Sequence, residues 1–167
     1  MKAVSKNWLI VGLILLANTL SAQQKSTKYD VVVYGGTSAG VIAAYTAKQM
    51  GKSVLLIEPG TRLGGLSSGG LGYTDIGNKY AIKGLSLDFY RKVGQHYGNF
   101  EQWIFEPHVA ENIFLAYLKK AKVTVLYSYW IISAKKVNKK IISITLENFL
   151  HPKTNTNKTM ISTPKMA

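Results

Sequence analysis

The sequence predicts an α/β fold, a parallel sheet crossed by a helix with a small antiparallel β excursion appended. Three observations carry that prediction. Tyr29–Tyr34 and Ser53–Ile57 are short β-branched and apolar runs, and unbroken apolarity marks strands covered on both faces, as parallel strands are. Between them, Ser38–Met50 has the composition of a helix with a small-residue face. Far downstream, two strand-like runs are separated only by the polar pair Asn138-Lys139, the pattern of a hairpin.

Taken in order, the chain begins with Lys2 and Lys6 ahead of the apolar run Trp8–Ala17, followed by Asn18-Thr19-Leu20-Ser21-Ala22. Residues 1–22 read as a secretory signal peptide with cleavage after Ala22, and an exported, periplasmic or extracellular location is expected. The run of ten residues is half of the roughly 20 that cross a bilayer as a helix. No stable membrane span is expected after cleavage.

Residues 28–147 form the expected domain. Val31, Val32 and Val33 make its first buried strand, and Ala39, Val41, Ile42, Ala43, Ala44 and Ala47 give the following helix a face for close packing, with Gly51 as its stop. Ser53–Ile57 returns as a second strand, so Tyr29–Ile57 is one βαβ unit. Gly60–Gly77 is glycine-rich and without period, but Leu63, Leu66, Leu71 and Ile76 make it more apolar than a free linker. Leu85–Tyr97, closed by Gly98, and Pro107–Ala121, opened by its proline, are the next helices. Val123–Tyr127, Trp130–Val137 and Lys140–Leu146 are the remaining strands, and residues 148–167, with Pro152 and Pro164, read as an irregular tail.

Composition narrows the function classes. The 167 residues carry a net charge of +13 and no cysteine, which removes disulfides and dithiol redox chemistry from this segment. The positive charge is nineteen Lys against two Arg, whereas nucleic-acid surfaces favour Arg and aromatic stacking platforms. No nucleic-acid partner is expected, and the lysines read as a solvated face.

The chemistry-bearing stretch is Gly35-Gly36-Thr37-Ser38-Ala39-Gly40, placed where a strand gives way to a helix. A nucleotide pyrophosphate needs backbone N–H donors and no obstructing side chains, and a helix amino end following a strand supplies both. Gly35 allows the tight turn, and Gly40 the close packing of helix on sheet. Thr37 replaces the middle glycine of G-x-G-x-x-G, but the Thr37 and Ser38 hydroxyls can donate to an anion. Glu58 closes the second strand eighteen residues beyond Gly40, the place for a carboxylate that accepts both ribose hydroxyls of an adenosine. It would repel a 2′-phosphate, so the adenosine belongs to FAD or NAD rather than NADP.

Val31–Glu58 followed by "PGTRLGGLSSGG" resembles the amino terminus of FAD-dependent oxidoreductases with the glutathione-reductase-type fold, in which a paired glycine, here Gly64-Gly65, follows the ribose acid. More narrowly, "YGGTSAG", "LGGLSSGGLG", "TDIGNK" and "FEPHVAENIF" are similar to a branch of exported bacterial FAD-dependent oxidoreductases, some linked by label to polysaccharide metabolism, in which Thr at the Thr37 position is usual. The resemblance covers Tyr29–Leu146. It implies a Rossmann-like FAD-binding domain with pyrophosphate over Gly35–Gly40, ribose on Glu58, and the loop Arg62–Gly70, including Arg62, Gly64, Gly65 and Ser68, running beside the phosphates toward the flavin. It also implies a small-molecule or carbohydrate-related substrate.

The same resemblance leaves the fourth parallel strand and a substrate domain without counterparts, so the chain is expected to be an incomplete amino-terminal portion ending its homology near Glu147. Two alternatives stay open: a non-catalytic remnant acting as a nucleotide-binding or basic surface-binding module, and an NAD-binding dehydrogenase half, against which the Gly64-Gly65 loop speaks. No catalytic residue is assigned. His96 and His108 read as helix-end residues, His151 and the sequon at Asn157 lie in the tail, and no His, Asp or Glu cluster has metal-ligand spacing along the chain.

Overall fold

The computed structural model describes residues 27–150 and the backbone of residues 159–162. The expected signal peptide, His151 and Asn157 lie outside them. The chain runs β1 (Thr27–Lys28), β2 (Val31–Tyr34), α1 (Ser38–Gln49), β3 (Val54–Glu58), α2 (Gly84–His96), α3 (Pro107–Ala121), β4 (Thr124–Tyr127), β5 (Tyr129–Val137), β6 (Lys140–Asn148) and β7 (Thr159–Ser162), with single 3-10 turns at Gly65–Ser67 and Lys79–Ala81.

β3 has no solvent face. Its first four residues, Val54 to Ile57, are each at most 2% exposed, because successive side chains of a strand point to opposite sides and both sides are covered. Val54 and Leu56 enter a cluster with Val41 and Ala44 of α1, Phe89 and Val93 of α2, and Phe114 and Leu118 of α3. Leu55 and Ile57 enter a second cluster with Ile144 and Leu146 of β6. The result is three layers: helices, a parallel sheet in the order β2-β3-β4, and a second sheet in the order β1-β7-β6-β5. Parallel pairing aligns Tyr34 with Ile57 and Glu58 with Tyr127, so the carboxyl ends of the three strands lie together.

Local chemistry sets the element ends. Thr37 caps α1, its Oγ1 accepting the Gly40 N–H at 3.1 Å, and Gly51 leaves the helix at φ 78°. Pro107 opens α3, where a missing N–H costs nothing. At the start of β2, Asp30 Oδ2 accepts from the N–H and hydroxyl of Ser53 at 2.8 and 2.7 Å, and these bonds hold its carboxyl below the usual value. Asn138 and Lys139 turn the β5–β6 hairpin with φ of 47° and 64°, the positive pair that a two-residue turn matched to strand twist requires. β5 is an edge strand, and exposed Lys135 and Lys136 on it discourage pairing with another chain.

The expected elements are found with boundaries moved by one or two residues, and one reading is corrected. Residues 148–167 are not wholly irregular, since β7 pairs antiparallel with β6 and parallel with β1. A four-residue run is too short for its alternation to separate strand from loop in a sequence; pairing partners on both sides define it. β7 joins the antiparallel layer and not the β2-β3-β4 sheet. Among the described residues no helix is long and apolar enough to cross a membrane.

α2 and α3 are joined by a polar clasp at the rim of the core. The Tyr117 hydroxyl donates to Asp88 Oδ2 at 2.5 Å, and Lys92 Nζ donates to both Asp88 oxygens at 2.7 Å. Burial raises the Asp88 carboxyl, but the bonds from Lys92 and Tyr117 outweigh it, leaving the group below its usual 3.8. A carboxyl depressed in the folded state stabilises the fold above its unfolded pKa, and the contribution is lost as pH falls through the folded value. With Asp88 partly exposed, Asp88→Asn is expected to lower stability by about 1 kcal/mol at neutral pH. In urea titrations across pH, that difference shrinks toward zero below the folded pKa, and a difference independent of pH would contradict the clasp.

Candidate functional site

The site forms at the carboxyl ends of β2 and β3, where the chain leaves the sheet for α1. Gly35 turns out of β2 with φ 103°, and its N–H stays bound to the Ile57 carbonyl at 2.7 Å. A Cβ on Gly40 would stand 2.0 Å from the Gly35 carbonyl oxygen, so α1 reaches this close to the loop only with glycine at that position. The first-turn N–H groups of a helix have no partner within it and carry the positive end of its dipole. At α1 these belong to Ser38, Ala39 and Gly40, of which Thr37 Oγ1 takes the last.

Glu58 ends β3 beside this loop, with Oε2 accepting the Gly36 N–H and Oε1 the Gly60 N–H, each at 2.6 Å. The carboxylate is thereby fixed in position and orientation. An ionised carboxylate offers about four acceptor directions, so each oxygen keeps one for a further donor such as a hydroxyl. Gly36 is buried, and a Cβ there would lie 2.4 Å from Leu63 Cδ2 and 2.9 Å from Glu58 Oε2.

The second glycine pair packs on the first loop. The Gly64 N–H donates to the Gly36 carbonyl at 2.7 Å, and Gly64 pairs as an isolated parallel bridge with Thr37. Gly64 has φ 101°, and a Cβ on it would meet Phe114 Cδ2 at 2.6 Å, while one on Gly65 would meet Thr37 Cα at 3.3 Å. Gly35, Gly36, Thr37, Gly64 and Gly65 therefore form one tight backbone unit. Thr37 and Ala39 are exposed and Ser38 half-buried at its surface. Arg62 is exposed, and Ser68 is buried with its hydroxyl donating to the Leu63 carbonyl.

Three contributors escape sequence reasoning. Gly60 supplies the second anchor of Glu58, Leu63 fills the space that Gly36 leaves, and Tyr127 lies in register with Glu58 across the sheet. Burial, with the charges of Glu111 and Glu58, pushes the Tyr127 phenol above its usual value. Gly60 was visible as one glycine among many; Tyr127 carries no signal until strand register is known. A cavity of about 780 Å³ opens beside the loop, lined by the hydroxyl residues Ser38 and Ser67 and by the apolar Ala39, Ile42, Phe89 and Phe114 among others.

The histidines are brought together elsewhere. His96 ends α2 and His108 lies in the first turn of α3, with ring centroids 6.4 Å apart. Their ligating atoms and those of Glu106 lie within 4.8 Å of one another. Spacing along the chain shows no such cluster, because eleven residues lie between the histidines and only the return of the loop between them closes the gap.

The sequence model of one family, described as FAD dependent oxidoreductase, matches residues 30–162. No curated protein matches the chain. Among solved structures, THI4 of Thermovibrio ammonificans is similar with a TM-score of 0.57 and 15% identity, covering 97% of this chain and 64% of its own. The p-nitrophenol 4-monooxygenase PnpA of Pseudomonas putida DLL-E4 gives 0.57 and 14%, covering 83% and 40%. The bacillithiol disulfide reductase Bdr of Bacillus cereus gives 0.56 and 15%, covering 82% and 38%. The chain thus spans under two thirds of the length of these structures, and at such identities the likeness is one of fold.

Gly40→Ala, which sets a methyl group against backbone, is expected to lower stability by about 3 kcal/mol. Gly35→Ala meets nothing within 4 Å and is expected to cost about 1–2 kcal/mol through its positive φ alone. Denaturant midpoints of the two variants check this ordering, and equal losses would refute the close contact between α1 and the loop.

Proposed function

Since the chain belongs to the family of FAD dependent oxidoreductases, we propose that it binds FAD through the adenosine diphosphate half and serves hydride or electron transfer at the flavin. The observation that carries this reading is Glu58, held at the end of β3 by the N–H groups of Gly36 and Gly60 beside the amino end of α1. The residues fit the group. A pyrophosphate would lie over Gly35–Gly40, where glycines keep side chains away and the Ser38 and Ala39 N–H groups supply donors, and the ribose hydroxyls would donate to the free directions of Glu58.

Thr37 contributes without obstructing. Its oxygen accepts the Gly40 N–H, which leaves the hydroxyl proton to donate to a phosphate oxygen. Ile42, Phe89 and Phe114 give the neighbouring cavity an apolar surface. Bound flavin supplies the redox chemistry, and the protein's part is to position and tune it. The finer reading, an exported enzyme acting on a small-molecule or carbohydrate-related substrate, rests on the motifs and on the pattern of residues 1–22.

Binding to the full chain tests the proposal. FAD and ADP are expected to bind, NADP+ to be excluded by the charge of Glu58, and Glu58→Ala to weaken ADP about 10- to 100-fold, the loss of hydrogen bonds to a charged group worth about 1.5–3 kcal/mol. Calorimetry reads the affinities. Failure of both FAD and ADP to bind the folded chain defeats the proposal, and preference for NAD over FAD transfers it to a dehydrogenase.

A further inference from the structure

We propose that the junction of α2 and α3 is a metal site, in which His96, Glu106 and His108 bind a divalent transition ion, with Zn2+ the ion that suits the donor set. His96 is the last residue of α2, Glu106 the cap of α3, and His108 a residue of its first turn. One ligand atom from each lies within 4.8 Å of the other two, and all three side chains are exposed. Two imidazoles and one carboxylate are a donor set of zinc sites that keep a fourth position for water. Donors around tetrahedral zinc stand about 3.3 Å apart, so closure asks for rotation of exposed side chains, the His96 ring starting from an edge contact with Tyr97 at 4.8 Å between centroids.

The backbone brings the two helix ends together. The loop from Tyr97 to Phe105 is anchored at its start by Asn99, whose N–H donates to the Gly94 carbonyl at 2.8 Å. Gly94 is buried so tightly beneath the loop that a Cβ would lie 2.6 Å from Glu101 Cα. At the loop's end Phe105 is buried in the core. Both helix ends are therefore held in place with the loop between them.

Glu106 is also aimed. The Tyr97 hydroxyl accepts the Glu106 N–H at 3.1 Å and donates to its Oε2, which leaves Oε1 to ligate. A hydrogen bond orienting a ligating carboxylate is the usual outer support of a metal site. The charge of Lys92, one helical turn before His96, is offset by Asp88 at 2.7 Å. The carboxyl end of α2 favours a cation, and Glu106 offsets the positive end of α3. A bound ion would clip the two helices together across the loop.

Titrating Zn2+ alone into the metal-free full chain, with calorimetry and a thermal melt, tests the site. One ion per chain and a raised Tm are expected. His96→Ala and His108→Ala should each weaken binding at least about tenfold and cancel the rise in Tm, with metal-free melts like the parent's showing that the variants fold. His151→Ala should change nothing. Absence of one-to-one binding overturns the proposal, as does wild-type affinity in the His96 and His108 variants or loss of binding in His151→Ala. None of these readouts depends on flavin.

Discussion

A strand without a solvent face organises this protein. Because Val54 to Ile57 of β3 must bury side chains in both directions, one layer of cover cannot suffice, and the chain supplies helices to one side and β6 to the other. Glu58 follows as the first residue of that run whose side chain reaches a polar environment. It sits where β3 leaves the two clusters, at the edge toward which parallel strands direct their carboxyl ends and where open α/β sheets bind ligands. The position of the acid is thus a consequence of burial upstream of it.

The substitution of Thr37 for a middle glycine becomes intelligible in the same terms. A glycine there would leave the backbone open to an anion but would leave α1 without its side-chain cap. Threonine closes the cap onto Gly40, and its Cβ and Cγ2 occupy the space in front of Gly65, where an added Cβ would lie 3.3 and 3.4 Å from them. Thr37 and Gly65 are complementary, one filling what the other vacates. The two glycine-rich segments, 29 residues apart from Gly36 to Gly65, behave as one piece of backbone.

What the sequence made legible was local. The βαβ unit, the Asn138-Lys139 turn and the placement of Glu58 follow from apolar runs, glycine positions and spacing, each a property of neighbouring residues. The features it concealed depend on pairing between distant segments. Tyr127 meets Glu58 only through the register of β3 with β4, β7 becomes a strand only between β1 and β6, and His96 meets His108 only because a packed loop returns the chain. Gly64 is a case between the two: its glycine was evident, but the need for it comes from Phe114, fifty residues on.

The outer sheet does more than cover β3, because it is wired to the site through backbone. Phe149, beyond the end of β6, donates its N–H to the Ser128 carbonyl at 2.9 Å, and Ser128 donates its own to the Gly60 carbonyl at 2.9 Å. Gly60 in turn donates to Glu58, Glu58 accepts from Gly36, and Gly36 accepts from Gly64. Ser128 is buried with φ 62°, a conformation that a residue with a Cβ keeps only where its surroundings over-determine it. Here the constraint is the simultaneous demand that β4 end opposite Glu58 and that β5 begin the second sheet. The hairpin layer and the glycine loops are consequently held in one register, and the orientation of the carboxylate is set from both sides of the sheet at once.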